Sequence, residues 1–302
     1  MAIGVSRVFH LNVNCSNLER SLNFYRDLLG LQTVVRTTPA EPQPGGAFGL
    51  ESTQWDAWIL ADSRGLDGVA IDLLEWQVPP PTGKPYAKAN ELGFARIGIT
   101  TTDIDAAYER LIDAGVDCYG APHDVGVEGV PAMKAFVCED PDGTLIELMS
   151  GPTDRVGVAI VNVSDFERSI DFYERVLGFK TLARFGSGER DGEGLRLGPK
   201  VDWEMAYLDD PRGEFAFAVD LVHWNTPKAK GTPYDSANHL GIYRMAFQTD
   251  DIDAAYGALR AEGITCVSPP ATLSMGPGIP DLRALLFPDP DGTMLELIEV
   301  PS

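Results

Sequence analysis

The sequence predicts an α+β chain made of four βαβββ units, and three observations carry the prediction. The first is a long internal repeat. Residues from Val8 to about Val137 return 148 positions later, so that Trp55, Asp72, Trp76, Tyr86, Asn90, Arg96 and Cys118 reappear as Trp203, Asp220, Trp224, Tyr234, Asn238, Arg244 and Cys266. After one inserted residue, Asp140–Glu147 returns as Asp289–Glu296. The second is that each half divides again, at a short apolar run followed by a capped amphipathic helix. The third is composition: 44% hydrophobic residues with 22 prolines and 31 glycines describe a globular, turn-rich chain. A repeat of this length fixes the architecture before any local motif is read.

The elements follow in order. Val8–Val13 is a short apolar strand with a polar stop. Ser16 and Asn17 offer an N-cap to a helix that carries Leu18, Leu22, Tyr25 and Leu29 on one face and ends at Gly30. Strands are expected around 33–36, 56–61 and 69–76. The second unit has a strand at Phe94–Thr100, a helix from Asp103 ended by Gly115, and strands near 117–120, 132–138 and 144–149. The third unit starts at Val156 with its helix from Asp165 to Gly178, and the fourth at Tyr243 with its helix from Asp251 to Gly263. This divides the chain at Gly151-Pro152 into domains 1–150 (units 1–76 and 90–150) and 151–302 (units 151–224 and 238–302). Joints rich in Pro, Gly and Lys, Gln77–Asn90 and Asn225–Asn238, read as extended crossovers. Asp-Pro-Asp-Gly before each last strand of the even units is turn chemistry, with Pro fixing φ and Gly tolerating positive φ.

A net charge of −21 argues against nucleic acid and anionic membranes as partners, because both demand basic patches. No apolar run is long enough to span a bilayer, and the first residues lack a basic-then-apolar signal. Cys15, Cys118, Cys138 and Cys266 show no CxxC spacing, which fits free thiols in a reducing cytoplasm. They read as core or strand residues; none stands beside a histidine as a nucleophile would.

Four βαβββ units, the helix end Phe-Tyr-x-x-x-Leu-Gly (Phe24–Gly30 and Phe172–Gly178) and Asp-Pro-Asp-Gly-x-x-x-Glu closing the even units resemble the vicinal oxygen chelate superfamily. That group includes glyoxalase I, bleomycin-resistance proteins and extradiol dioxygenases. The resemblance covers almost the whole chain. It implies that units pair into two cupped, mixed-sheet half-barrels with the pocket inside the cup. A metal, when present, is held there by side chains from the first and last strands of the paired units.

Carried over position by position, the first-strand places hold His10, Arg96, Val158 and Arg244, and the last-strand places Asp72, Glu147, Asp220 and Glu296. With the units paired within each half, one cup presents His10, Asp72, Arg96 and Glu147 and the other Val158, Asp220, Arg244 and Glu296. Arginine has no lone pair to offer a metal, so Arg96–Glu147 and Arg244–Glu296 are expected as ion pairs in its place. Extradiol cleavage is disfavoured, since the iron requires His where Val158 and Arg244 stand. No cofactor is favoured; the one candidate metal set is His10, Asp72 and Glu147, a divalent ion in the N-terminal cup, against a reading of His10 as a polar pocket wall.

Where the first half has Glu75 and Glu91, the second has His223 and His239. These two histidines read either as a proton-handling pair near Asp220 or as crossover-packing residues. Trp55, Trp76, Trp203 and Trp224 recur in both halves and suit either an aromatic ligand wall or the core. His123 reads as a surface residue. Three functions stay open, all on a small organic molecule and with a monomer or homodimer. The first is a lyase or isomerase with Glu147 and Glu296 as bases and Arg96 and Arg244 as oxyanion stabilisers. The others are a sequestering protein of the bleomycin-resistance kind and a metal-dependent glyoxalase-like enzyme. Catalysis calls for a raised Glu pKa or an accessible carboxylate, and a cup plugged by the ion pair calls for a strut.

Overall fold

The computed structural model describes residues 3–125, 133–212 and 217–300. Unit one contains β1 (Val5–Asn14), α1 (Leu18–Leu22) widening into a π-helical turn over Asn23–Leu28, β2 (Gln32–Thr37), β3 (Gln43–Pro44), β4 (Ser52–Ala61) and β5 (Ala70–Val78). Unit two contains β6 (Gly93–Thr101), α2 (Ile104–Asp113), β7 (His123–Asp124), β8 (Lys134–Glu139) and β9 (Leu145–Ser150). Unit three contains β10 (Arg155–Asn162), α3 (Phe166–Arg175), β11 (Lys180–Phe185), β12 (Glu189–Arg190), β13 (Val201–Asp209) and β14 (Ala218–Thr226). Unit four contains β15 (Gly241–Thr249), α4 (Ile252–Ala261), β16 (Ala271–Leu273), β17 (Leu282–Pro288) and β18 (Met294–Glu299). The stretch 117–120, expected as a strand, makes a single bridge at Cys118. Residue 132, at the start of another expected strand, lies outside the described residues.

The helices start where the caps predict. The side chains of Asn17, Asp103, Asp165 and Asp251 accept from the backbone N–H groups of Arg20, Ala106, Arg168 and Ala254. Each cap satisfies an amide that the first helical turn cannot pair internally.

The pairing of units corrects the expectation from the halves. One sheet runs β16-β17-β18-β15-β1-β5-β4-β2 and joins units four and one; the other runs β11-β13-β14-β10-β6-β9-β8-β7 and joins units three and two. The joins are antiparallel, with Leu11 opposite Met245 and Ala159 opposite Ile97. The two joints cross each other and are tied together: the Thr82 N–H donates to the Asn238 carbonyl, and the Leu92 N–H to the Lys230 carbonyl, both at 2.9 Å. Tyr86 and Tyr234 stack at 4.3 Å between ring centres where the joints meet. Carried across in this way, each joint delivers its next unit to the other sheet. Each sheet thus draws one unit from each half, and the cup residues regroup accordingly.

The halves still hold together at the Asp-Pro-Asp-Gly turns. Asp142 accepts from the Ser16 N–H at 2.9 Å and Asp291 from the Ser164 N–H at 2.7 Å, so the turn of each even unit grips the helix entrance of the odd unit before it. Strand alternation then sorts the side chains. On β5, Ile71 and Leu73 enter one large apolar cluster fed by all four units, while Asp72, Leu74 and Trp76 point into the cup.

Candidate functional site

The cup of units one and four gathers His10 from β1, Asp72 from β5, Arg244 from β15 and Glu296 from β18, each no more than 6% exposed. Arg244 sits between the two carboxylates. Its Nε donates to Glu296 Oε2 at 2.7 Å and its Nη2 to Asp72 Oδ2 at 2.9 Å. Asn12 also donates to Asp72 Oδ2, at 3.1 Å. Nε2 of His10 lies 3.4 Å from Glu296 Oε2 and 3.8 Å from Asp72 Oδ2. Burial pushes the Glu296 carboxyl up, but Arg244 and His10 more than offset it and hold it below the usual carboxylate range. Burial likewise works against the Arg244 charge, and Glu296 and Asp72 raise its pKa in spite of it. The guanidinium also faces the Phe48 ring, 5.4 Å from its centre.

A cavity of about 190 Å³ opens above this floor. Its walls are Phe9, Trp55, Ile59, Leu66, Met275 and Ile279 with other apolar side chains, and its polar lining residues are Thr37, His10, Asp72, Arg244 and Glu296. Among the described residues, Nδ1 of His10 and Nη1 of Arg244 have no hydrogen-bond partner, while Nε2 of His10 faces the two carboxylates.

The cup of units two and three gathers Arg96, Glu147, Val158 and Asp220. Arg96 Nε donates to Glu147 Oε2 at 2.7 Å. Asp220 keeps an accessible edge, yet its Oδ1 is buried without a partner among the described residues. Burial and the Glu147 charge raise its carboxyl to about 7, against the pull of Arg96.

Both expected Arg–Glu pairs are present, but the expected metal trio is divided: His10 and Asp72 lie in one sheet and Glu147 in the other. Arg244, not Arg96, stands beside His10 and Asp72. A divalent ion does not fit the regrouped set either. Both carboxylates already receive the guanidinium, and a cation there would meet a fixed positive charge. Among the described residues, no group of three His, Cys, Asp or Glu side chains is arranged to hold a metal.

His223 and His239 do not come together at Asp220. His223 is three residues from Asp220 on β14, hence on the opposite face, with Nδ1 3.3 Å from the Val163 carbonyl oxygen. Its counterpart Glu75 accepts from the Leu18 N–H at 2.6 Å, at the entrance of α1. His239 lies in the crossover, stacked on Tyr234 at 4.0 Å and packed over Gly83. The tryptophans divide too. Trp55 lines the cavity, with its indole N–H donating to Thr37 at 3.0 Å. Trp76 and Trp224 are buried and donate to Asn14 and Asn162. Trp203 is half-buried under Arg190, 3.8 Å from its ring centre. Asn12, Phe48 and the 273–282 wall were missed by the sequence reading; the replacement of Asn12 by Ile160 in the third unit was the available signal.

The sequence matches the profile of the Glyoxalase/Bleomycin resistance protein/Dioxygenase superfamily over residues 7–148 and again over 155–297. It is similar to a lactoylglutathione lyase of Schizosaccharomyces pombe, 26% identical over 96% of this chain and 95% of that protein. A lactoylglutathione lyase of rice is 28% identical over 97% and 89%. The crystal structure of glyoxalase I from Zea mays superposes with a TM-score of 0.69 over 97% of this chain and 92% of that one, at 20% identity, a likeness of fold. Among the described residues no helix is long and apolar enough to cross a membrane. With the family profile matched in both halves and four βαβββ units curled into two cups, the chain belongs to the Glyoxalase/Bleomycin resistance protein/Dioxygenase superfamily.

Proposed function

We propose that the protein is a lyase-type enzyme whose working site is the cup of units one and four, with a compact, largely apolar oxo- or hydroxy-compound as substrate. One observation carries the reading: Nδ1 of His10 and Nη1 of Arg244, on two side chains that line an apolar cavity, are buried with no hydrogen-bond partner among the described residues. Leaving such a group unpaired costs about 1–3 kcal/mol, and a ligand oxygen would recover it. The full-length relatives named lactoylglutathione lyase support the reaction class. The apolar walls favour a substrate less polar than a peptide conjugate.

Roles follow from the geometry. Asp72 and Glu296 hold the Arg244 fork so that Nη1 is left for an oxygen that gains negative charge during the reaction. Glu296, held ionised by Arg244, is a weak base, so His10 takes the proton from the carbon beside the carbonyl. Arg96 with Glu147, and His223 and His239, stand outside this site and serve the scaffold. The depressed pKa of Glu296 favours a second reading, in which the Arg244 network is a strut and the cup only sequesters its ligand.

The test is solvent exchange. A panel of oxo- and hydroxy-carbonyl compounds, with and without glutathione, is incubated with the protein in D2O and followed by NMR. Thermal shift is measured in parallel on the protein and on His10→Gln. Catalysed exchange that His10→Gln loses, with ligand-induced thermal shift retained, supports the enzyme. Thermal shift without exchange for any compound establishes the binder instead.

A further inference from the structure

The two halves differ at one place remote from the cavity. Cys118, in the segment after α2, forms an isolated antiparallel bridge with Cys138 of β8. The flanking hydrogen bonds run from the Tyr119 N–H to the Val137 carbonyl at 2.8 Å and from the Glu139 N–H to the Asp117 carbonyl at 3.0 Å. Cys118 and Cys138 are therefore directly opposed in a non-hydrogen-bonded pair, where Cα atoms lie about 4.5 Å apart and side chains are closest. That spacing falls within the range a disulfide spans, at its short end. Both are free thiols.

The repeat supplies the control. In unit four the same local pairing recurs, with the Val267 N–H donating to the Leu286 carbonyl at 2.8 Å, but Cys266 there has Phe287 at the place of Cys138. The opposed pair is particular to unit two. Its surroundings also separate the two thiols. Cys118 is half-buried and Cys138 fully buried. Arg196, from unit three, is bound to Asp117 at 2.9 Å and reaches the Cys118 carbonyl at 3.5 Å. The facing Cys138 holds the Cys118 thiol below its usual range, with help from the Arg196 charge, while Cys138 is pushed up by Cys118 and by burial. Low pKa with access marks the thiol that oxidants attack first.

We propose that Cys118 and Cys138 form a reversible redox-modification site for hydroperoxides, with Cys118 attacked first and Cys138 resolving. The Cys118 thiolate attacks one peroxide oxygen; an S–O bond forms, the O–O bond breaks, and hydroxide takes up a proton and leaves as water. The Cys138 sulfur then attacks the sulfenic acid sulfur, forming the S–S bond and expelling a second water. Two electrons leave the two thiols and reduce hydrogen peroxide to water. A small dithiol reverses the change by thiol–disulfide exchange.

The test is peroxide treatment of the intact protein, followed by thiol alkylation without reductant and peptide mass spectrometry. The expected product is a Cys118–Cys138 linked peptide lighter by two hydrogens, with two of the four thiols protected and both recovered with dithiothreitol. Cys266→Ser leaves this unchanged. In Cys138→Ser, dimedone traps a sulfenic acid on Cys118 that the unaltered protein does not accumulate. Equal dimedone labelling in both proteins, over-oxidation of Cys118 with no linked peptide, or no oxidation at all would each overturn the proposal. The linked peptide is read on the unaltered protein, so a variant that misfolds does not spare it.

Discussion

Asp72 and Asp220 occupy matching places on matching strands of the two cups, yet they live in opposite conditions. Asp72 accepts from Arg244 and Asn12 and has His10 nearby. Around Asp220 the third unit has Ile160 where Asn12 stands and Val158 where His10 stands, and Arg96 spends its bond on Glu147. Two apolar replacements remove the donors, and the carboxyl is left to hold a proton up to about pH 7. The unfavourable transfer of a charge into a poorly solvated site is met by neutralisation, not by a partner. One duplicated framework thus carries a charged, cavity-facing floor in one cup and a proton-holding one in the other.

The contrast is broken most directly at the arginines. Arg244→Ala leaves Asp72 and Glu296 buried together with no guanidinium, and we expect a loss of about 4 kcal/mol in unfolding free energy. Arg96→Ala leaves Glu147, whose side chain is 18% exposed and reachable by water, so the loss should be about 1–2 kcal/mol. Urea denaturation of both variants decides the matter. Equal losses would mean that the cups are energetically alike.

Asp220 offers the next largest effect, with a definite sign. Its folded pKa is raised above that of the unfolded chain, so the folded state binds the proton more tightly. Stability from this group is present below the unfolded value near 4 and is lost as pH rises to about 7. Asp220→Asn keeps the shape without the charge. It should raise stability at pH 8 by on the order of 2 kcal/mol, discounted for the accessible edge of the carboxyl, and flatten the slope between pH 4 and 7. Asp72→Asn, by contrast, should be destabilising at every pH in that window, because it leaves Arg244 short of an anion. Thermal unfolding across pH checks both, and a stabilising Asp72→Asn would erase the difference.

Much of this was legible before the structure, and what was not has a physical cause. The caps Asn17, Asp103, Asp165 and Asp251, the repeat and the two Arg–Glu pairs are local patterns, and local patterns are written in the order of the chain. Which unit pairs with which is not. The first strands of units two and four carry the same arginine at the same place, so either could lie against β1, and the repeat satisfies both arrangements equally. The choice is made by the crossing joints, through bonds such as Thr82 to Asn238 and the Tyr86–Tyr234 stack, which lie more than a hundred residues apart. His10 therefore keeps its strand and its neighbour Asp72, and has Arg244 and Glu296 where Arg96 and Glu147 are expected. His223 is a different case: counting along β14 from Asp220 puts it on the far face, and of the two readings open for the histidines that parity agrees with packing at the crossover.

The smallest effect tests how tightly the halves repeat each other. Asp140 and Asp289 open the two Asp-Pro-Asp-Gly turns, and burial raises both carboxyls to about 6 against several hydrogen bonds. Each accepts two backbone N–H bonds on one oxygen and a tyrosine hydroxyl on the other, but Tyr25 reaches Asp140 at 2.9 Å while Tyr173 stands 3.4 Å from Asp289. The tyrosine bond is strongest to an ionised acceptor, so its worth should grow as pH rises through 6. Tyr25→Phe should cost about 1.5 kcal/mol at pH 8 and about half that at pH 4.5, where Asp140 holds its proton. Tyr173→Phe, which breaks a longer bond, should cost about 0.5 kcal/mol at pH 8. Matched denaturation curves at the two pH values separate the contributions. A Tyr173→Phe loss as large as that of Tyr25→Phe would show that the turns are equivalent and that the asymmetry is confined to the cups.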